Sequence, residues 1–395
     1  MSAWPTAPLR EVVDYPVARV VPEAAPERPF TYIDISAVDA DRKVIVAPRT
    51  ILGREAPSRA RQQVLPADVL VSTTRPNLNA VAKVPPELAG AIASTGFAVL
   101  RPRAGVDADY LLHWTRSPGF VAAVSAMVKG ALYPAVTDRQ VLDLMIPLPP
   151  LKEQRRIAAR LGDELRAVVD FGPSIERRAS TLAALRRSAL TTTFEQLLGE
   201  RRSVGKLADV IKLRNDIVHP RDRPTGTAAF VGLEHIEAGS GRRIGQVPID
   251  LAAMTGRKAT FSPGNIVYGY LRPYLNKVWL ADIDGFCSVD QYVLEVDTRR
   301  ADSDFVALFM LSDAYLSRAP ITTTPGQLPR IRSGEVLSVP APIPSLADQR
   351  RIATRLREQL AEIDRAKAAL EAQCAAIGLL PPALLREVFG AEEDS

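Results

Sequence analysis

The sequence predicts an α+β chain of two tandem globular segments, each followed by a long helix, the two helices pairing as an antiparallel coiled coil. Three observations carry this. A fifteen-residue stretch occurs twice, 195 positions apart. Each occurrence opens a run of apolar residues at helical spacing. Each is preceded by a long Pro-rich stretch of short β-branched runs between turn signals, the pattern of small strands. Short strands before a long terminal helix are an α+β arrangement, and self-similarity at this interval is a duplication.

The first globular segment covers residues 1–149. Its strand-like runs include Phe30-Thr-Tyr-Ile-Asp-Ile35 and Asp68-Val-Leu-Val-Ser72, the latter followed by Arg75-Pro-Asn-Leu-Asn79. Asp107-Ala-Asp-Tyr110 opens a short helical stretch, and N-capping explains its acids better than a metal site does. The first long helix covers 150–198. It starts after Pro147, Pro149 and Pro150, with Glu153 in its first turn, where acid suits the positive helix end. Ile157, Leu161, Leu165, Val168, Ile175 and Leu182 step by 4, 4, 3, 7 and 7, one stripe of a helix. Gly172-Pro173 interrupts this pattern and predicts a kink or break. A bend tolerated by the neighbouring helix is the preferred reading over a hinge.

The second globular segment covers 199–344 and repeats the first with loops of different length. Phe230-Val-Gly-Leu-Glu-His235, Asn265-Ile-Val-Tyr268, Arg272-Pro-Tyr-Leu-Asn276 and Asp302-Ser-Asp-Phe305 answer the four stretches above. The second long helix covers 345–390, before a 391–395 tail. Pro342-Ile-Pro-Ser-Leu-Ala-Asp-Gln-Arg-Arg-Ile-Ala-Thr-Arg-Leu356 matches Pro147–Leu161 at ten of fifteen positions. Ile352, Leu356, Leu360, Ile363, Leu370 and Ile377 repeat the same steps, and Leu185/Leu380, Leu190/Leu385 and Phe194/Phe389 keep the same offset. Roughly forty helical residues make a rod of about 60 Å.

Composition narrows the function. With 395 residues, 47% of them hydrophobic, the chain can build two or three cores. No unbroken apolar run reaches about 18 residues, which argues against a transmembrane helix. Met1 to Glu23 has no secretory pattern, and Cys287 and Cys374 are too few for a disulfide framework, so a cytoplasmic protein is expected. Three histidines (His113, His219, His235) argue against a His-rich metal centre, and no metal is expected. Net charge is +5 and the isoelectric point about 9.2, compatible with nucleic acid. No P-loop, no Glu-x-Lys nuclease element and no Asn/Asp-Pro-Pro-aromatic loop of an adenine methyltransferase occurs. No catalytic residue is assigned, and an enzyme is not expected.

The duplicated Leu148-Pro-Pro-Leu-Lys-Glu-Gln-Arg-Arg-Ile157 element resembles that of the specificity subunits of type I restriction–modification enzymes. So does a strand followed by Ser/Thr, Arg and Asn, as in Val71 to Asn79 and Tyr268 to Lys277. The resemblance spans nearly the whole chain. The second element, Ser345-Leu-Ala-Asp-Gln349, departs from it by losing a proline, the Lys and the Glu. It implies two target recognition domains, each reading one half of a split, asymmetric duplex site. It implies a helical spacer that docks two copies of a methyltransferase subunit. S-adenosylmethionine would belong to that subunit, not to this chain. An ATP-dependent restriction subunit is a further partner that the family allows.

Duplex recognition combines phosphate contacts with Arg, Asn and Gln contacts to base edges. The expected DNA-binding residues in the first segment are Arg59, Arg61, Thr73, Thr74, Arg75, Asn77, Asn79 and Lys129. In the second they are Arg257, Lys258, Tyr268, Tyr270, Arg272, Tyr274, Asn276, Lys277, Gln327, Arg330 and Arg332. Repeated positions such as Arg75/Arg272 and Asn79/Asn276 are expected to hold the loop or touch backbone, and unrepeated ones to specify. Gln154, Arg155 and Arg156, with Gln349, Arg350 and Arg351, read equally well as a partner-docking surface or as an exposed helix face. Two rival functions share the architecture: a specificity subunit of a methylation-based defence system without restriction, and a pseudo-symmetric protein-binding scaffold.

Overall fold

A computed structural model describes residues 4–128, 134–200, 203–323, 326 and 328–390. The chain divides into two compact units, 1–176 with 371–395, and 177–370. Each unit therefore combines one globular head with stretches of both long helices.

In the first unit, an antiparallel sheet runs in the order Val13–Asp14, Phe97–Pro102, Val69–Ser72, Val81–Lys83. A second sheet runs Arg49–Leu52, Pro29–Ile33, Ile92–Ser94, Ala60–Gln63, with one parallel pair at its centre. Thr6–Pro8 pairs with Met145–Pro147, so the start of the head is stitched to the residues that lead into the first long helix. Strand Val69–Ser72 is buried at every position, and its β-branched residues suit a strand covered on both faces.

The second unit repeats this order. One sheet runs Ile211–Arg214, Gln291–Val296, Ile266–Gly269, Val278–Leu280. The other runs Ile217–Val218, Lys258–Phe261, Gly285–Ser288, Thr227–Val231, Val247–Asp250, again with one parallel pair. Val204–Lys206 pairs with Pro340–Pro342.

The capping expected at the acidic pairs is present. The Asp107 carboxylate accepts from the Asp109 and Tyr110 backbone N–H at 3.0 Å each, starting helix Ala108–Thr115. Asp302 accepts from the Phe305 N–H at 3.0 Å, starting helix Ser303–Met310.

The first long helix is continuous from Leu151 to Gly199 and includes Pro173. The helix is unbroken at Gly172-Pro173, which is compatible with the preferred reading of a tolerated bend. The interruption lies in the other helix, which ends at Gly378 and resumes as Leu380–Phe389. Pro381 and Pro382 occupy the first turn of that last piece, where an absent N–H costs little.

The helix stripe is buried mostly where it meets a head, with Leu370 buried outside both head cores. Ile157, Leu161 and Leu165 join the core of the first unit together with Leu385. Leu190, Phe194, Ala353, Leu356 and Leu360 join that of the second. The expected continuous seam is thus interrupted, and Leu185 and Leu380 are exposed at 51% and 45%. Cross-helix ion pairs fall in opposite chain order, Arg160 with Glu387 at 3.2 Å in the first unit and Arg186 with Asp364 at 2.8 Å in the second. This is the order of an antiparallel pair.

One helical stretch, Leu346–Phe389, holds an 18-residue window of mean hydropathy 1.5, apolar and long enough by composition to cross a membrane. The window averages over charges that break any continuous apolar run, so the match is one of length and composition alone and is no evidence for a membrane span. At its end Leu385 is buried in the first unit and Phe389 packs on Tyr110.

Candidate nucleic-acid interface

Both heads build the same loop from the same local rules. After strand Val69–Ser72, Arg75 adopts left-handed backbone, Pro76–Leu78 makes a single 3-10 turn, and Asn79 is left-handed again (φ of 49° and 48°). After Ile266–Gly269, Arg272 and Asn276 repeat this at 50° and 45° around Pro273–Leu275. Left-handed backbone is uncommon outside glycine, and asparagine tolerates it best among the rest. A second segment braces each loop: the Arg75 N–H donates to the Pro134 carbonyl at 2.8 Å, and the Arg272 N–H to that of Pro329 at 2.7 Å.

The two asparagines are buried supports. Asn79 donates through Nδ2 to the Thr115 carbonyl at 2.8 Å and accepts from Lys43 Nζ at 2.9 Å. Asn276 is 4% exposed, and its carbonyl accepts from the Gly239 N–H at 3.1 Å. Between the asparagine and the strand, Arg75 and Asn77 are exposed in the first head, and Arg272 and Tyr274 in the second.

In the second head a larger group gathers around this loop. Tyr270 stacks on Tyr292 with ring centroids 4.5 Å apart. Burial and then Asp290 push the Tyr270 hydroxyl above its usual pKa, while Arg330 and Arg257 act on it in the opposite sense. Arg330 bridges to Leu271 and Thr322, and the Ile331 N–H donates to the Tyr270 carbonyl at 3.2 Å. Arg257, Arg330 and Arg332 are exposed, Tyr270 half-buried. Tyr292 was not anticipated: it lies in a strand, with no turn signal to draw attention.

Several expected contacts are corrected. Tyr268 is fully buried, edge-on to Tyr315 in the core, so it does not reach a groove. Thr73 is buried with its hydroxyl on the Gly96 carbonyl at 2.9 Å. Asn79 and Asn276 are held as described. Arg61 is locked in a bidentate pair with Glu23, at 2.6 and 3.0 Å. Lys277 gives its ammonium to the Leu233 carbonyl at 2.5 Å. Lys258 lies 5.1 Å from the Phe230 ring centroid. Arg59 is exposed and Thr74 half-buried. Lys129 and Gln327 lie outside the described residues.

The docking set divides. Gln154 and Gln349 are each 1% exposed and are internal clamps. Gln154 accepts from the Asp107 N–H and donates to the carbonyls of Gly105 and Pro149; Gln349 does the same with Asp302, Arg300 and Pro344. Both are thereby excluded from a docking surface. Arg155, Arg156, Arg350 and Arg351 are exposed. Arg156 pairs with Glu153 and Arg351 with Asp348, one helical turn back.

Comparison with known proteins gives the class. No protein-family model matches the chain. It is similar to the specificity subunit of the type I restriction enzyme EcoDI of Escherichia coli, 24% identical over 313 residues, 71% of this chain and 69% of that protein. A chain from a structural study of assembly and conformational transition in the type I restriction–modification system superposes with a TM-score of 0.82. It is 26% identical over 98% of this chain and 97% of its own. The HsdS subunit from Thermoanaerobacter tengcongensis superposes at 0.65 with 27% identity, covering 99% and 97%. Fold and comparisons together give this chain the build of a type I specificity subunit. Over nearly its whole length the chain is similar to specificity subunits of type I restriction–modification systems.

Proposed function

We propose that each head reads one half of a bipartite, asymmetric duplex site, and that the helix pair sets the gap between the halves. One observation carries this reading. The same braced loop presents Arg75 and Asn77 in one head and Arg272 and Tyr274 in the other, so one frame offers different readers. Arg pairs bidentately with guanine and Asn with adenine, whereas Tyr does neither, so two unlike halves follow. The exposed Arg155/Arg156 and Arg350/Arg351 faces serve two copies of a methyltransferase subunit, whose S-adenosylmethionine supplies the methyl group. In a restricting system an ATP-dependent nuclease subunit joins the same complex. The assembly works on chromosomal and incoming DNA in the cytoplasm.

Methylation mapping of host DNA by long-read sequencing tests this, with and without the gene and its neighbouring methyltransferase gene. Loss of adenine methylation at one split, asymmetric motif is expected. Unchanged methylation beside an intact, expressed methyltransferase would overturn the reading in favour of a protein-binding scaffold.

A further inference from the structure

A cavity of about 680 Å³ opens in the first unit where the hairpin around Lys43, helix Ala108–Thr115 and the start of helix Leu151–Gly199 meet. Its lining is cationic. The three carboxylates on it are already paired: Asp107 with Arg155 at 3.9 Å, Asp163 with Arg166 at 3.5 Å, and Asp109 with Lys83. Arg42, Lys43 and Arg116 have no ion-pair partner among the described residues. The Arg116 Nε is buried without a hydrogen bond, and one of its terminal nitrogens sits 3.5 Å from His113 Nδ1. Among the described residues, Lys43 Nζ donates only to the backbone and side-chain oxygens of Asn79.

The second head shows that the fold does not require this. Aligning the two capped helices, Asp107 on Asp302, places Leu308 at His113, Leu311 at Arg116 and Arg357 at Gly162. There Leu308 and Leu311 are buried, and Arg357 fills the space and pairs with Asp304, the counterpart of Asp109. In the first head Gly162 leaves that space open; a Cβ there would have His113 Nε2 as its nearest neighbour, at 3.8 Å. Lys83 stands where the second head has Leu280.

Arg42 is exposed, but Lys43 and Arg116 are partly buried without an ion-pair partner among the described residues, and such cations destabilise the fold. Burial is the leading cause that pushes Lys43 down to about 8, His113 to about 4 and Arg116 to about 10. The Arg116 charge adds to the effect on the first two, against Asp41 and Asp39 at Lys43 and Asp109 at His113. A protein carrying this cost in one of two homologous heads gains from an anion that removes it.

We propose that this cavity is a binding site for a phosphate-class anion, held by Arg116, Lys43 and Arg42 and made accessible by Gly162. Cations converging from one hairpin and from the C-terminal end of helix Ala108–Thr115 suit a multiply charged group that accepts hydrogen bonds from more than one direction. The source is either a nucleic-acid backbone phosphate or a small phosphate-bearing molecule. The site stands independently of which bases the heads read.

The test uses the full chain and inorganic phosphate. In phosphate, against chloride at equal ionic strength, the unfolding midpoint of the wild type should rise by about 3 °C or more. Arg116→Leu and Gly162→Arg, each importing the residue of the second head, should abolish that rise. Should Gly162→Arg fail to fold by circular dichroism, Arg116→Leu carries the test. No phosphate-specific rise in the wild type, or an equal rise in the variants, overturns the proposal. So does stabilisation by a glutamate-rich peptide where phosphate gives none, which would make the cavity a protein contact. Titration of a non-cognate duplex separates the sources. A backbone phosphate predicts weaker binding by the variants and a salt slope reduced by about 1. A small ligand predicts lost phosphate response with unchanged duplex binding.

Discussion

Phe389 lies edge-on to Tyr110 with ring centroids 5.3 Å apart, as Phe194 lies edge-on to Phe305 at 5.3 Å. Tyr110 and Phe305 are counterparts in the two heads, and Phe194 and Phe389 are counterparts at the ends of the two long helices. The chain's last helix thus completes the core of its first head, and the end of the first long helix completes that of the second. Each head thus packs on the start of the helix that follows it and on the end of the helix that does not.

Removal of residues 380–395 should therefore loosen the first head and spare the second. Amide hydrogen exchange in Ala108–Thr115 should rise, while that in Ser303–Met310 stays near its wild-type level. Leu385→Ala alone should cost the first unit about 2–4 kcal/mol, the usual penalty for truncating a buried leucine. An equal rise in both helices would contradict the exchange of helix ends.

The two glutamine clamps predict an ordering among neighbours. Gln154→Ala leaves two buried carbonyls and one N–H without their partner and should cost about 2–3 kcal/mol in denaturant unfolding. Arg156→Ala, exposed and paired only with Glu153, should change stability by less than about 0.5 kcal/mol. If docking rests on the arginines, Arg155→Ala with Arg156→Ala should weaken methyltransferase capture without altering the melting curve.

His113 should make the first unit acid-sensitive. Its folded pKa, about 4, lies below the ordinary 6.5, so between those values the unfolded chain binds the extra proton. Stability is then full above about pH 6.5 and falls as the pH drops toward 4. The loss approaches roughly 3 kcal/mol, from the size of the shift. His113→Leu, the residue of the second head, should flatten that slope in stability measured from pH 4 to 7.

The exposed arginines of the two loops should act on separate half-sites. Arg75→Ala should weaken recognition of one half and Arg272→Ala of the other, each by about 1–3 kcal/mol if a base contact is lost. Methylation mapping of cells carrying each variant checks this. Relaxation of the same half by both would refute the assignment of one head to each half.

The duplication, the strand-then-helix order, the helix starts at the proline runs and the Asp107 and Asp302 caps were all legible in the residues. They are local: they depend on proline, on side chains that reach their own backbone, and on periodicity within one element. Where a side chain ends up is not local. Tyr268 sits in a turn-rich, DNA-reader-like context but is core, because its strand is buried on both faces. Gln154 stands beside two exposed arginines, yet helix periodicity turns it inward onto the Gly105 and Pro149 carbonyls. Gly162 gave no signal in one dimension, since its meaning is the Arg357 that fills the equivalent space in the other head. By itself the sequence determined that this chain is a twofold repeat of head and helix, because repetition and pattern are properties of order along the chain. Only the tertiary structure decided which helix completes which head, and which cations remain unpaired, because both depend on residues far apart along the chain meeting in space.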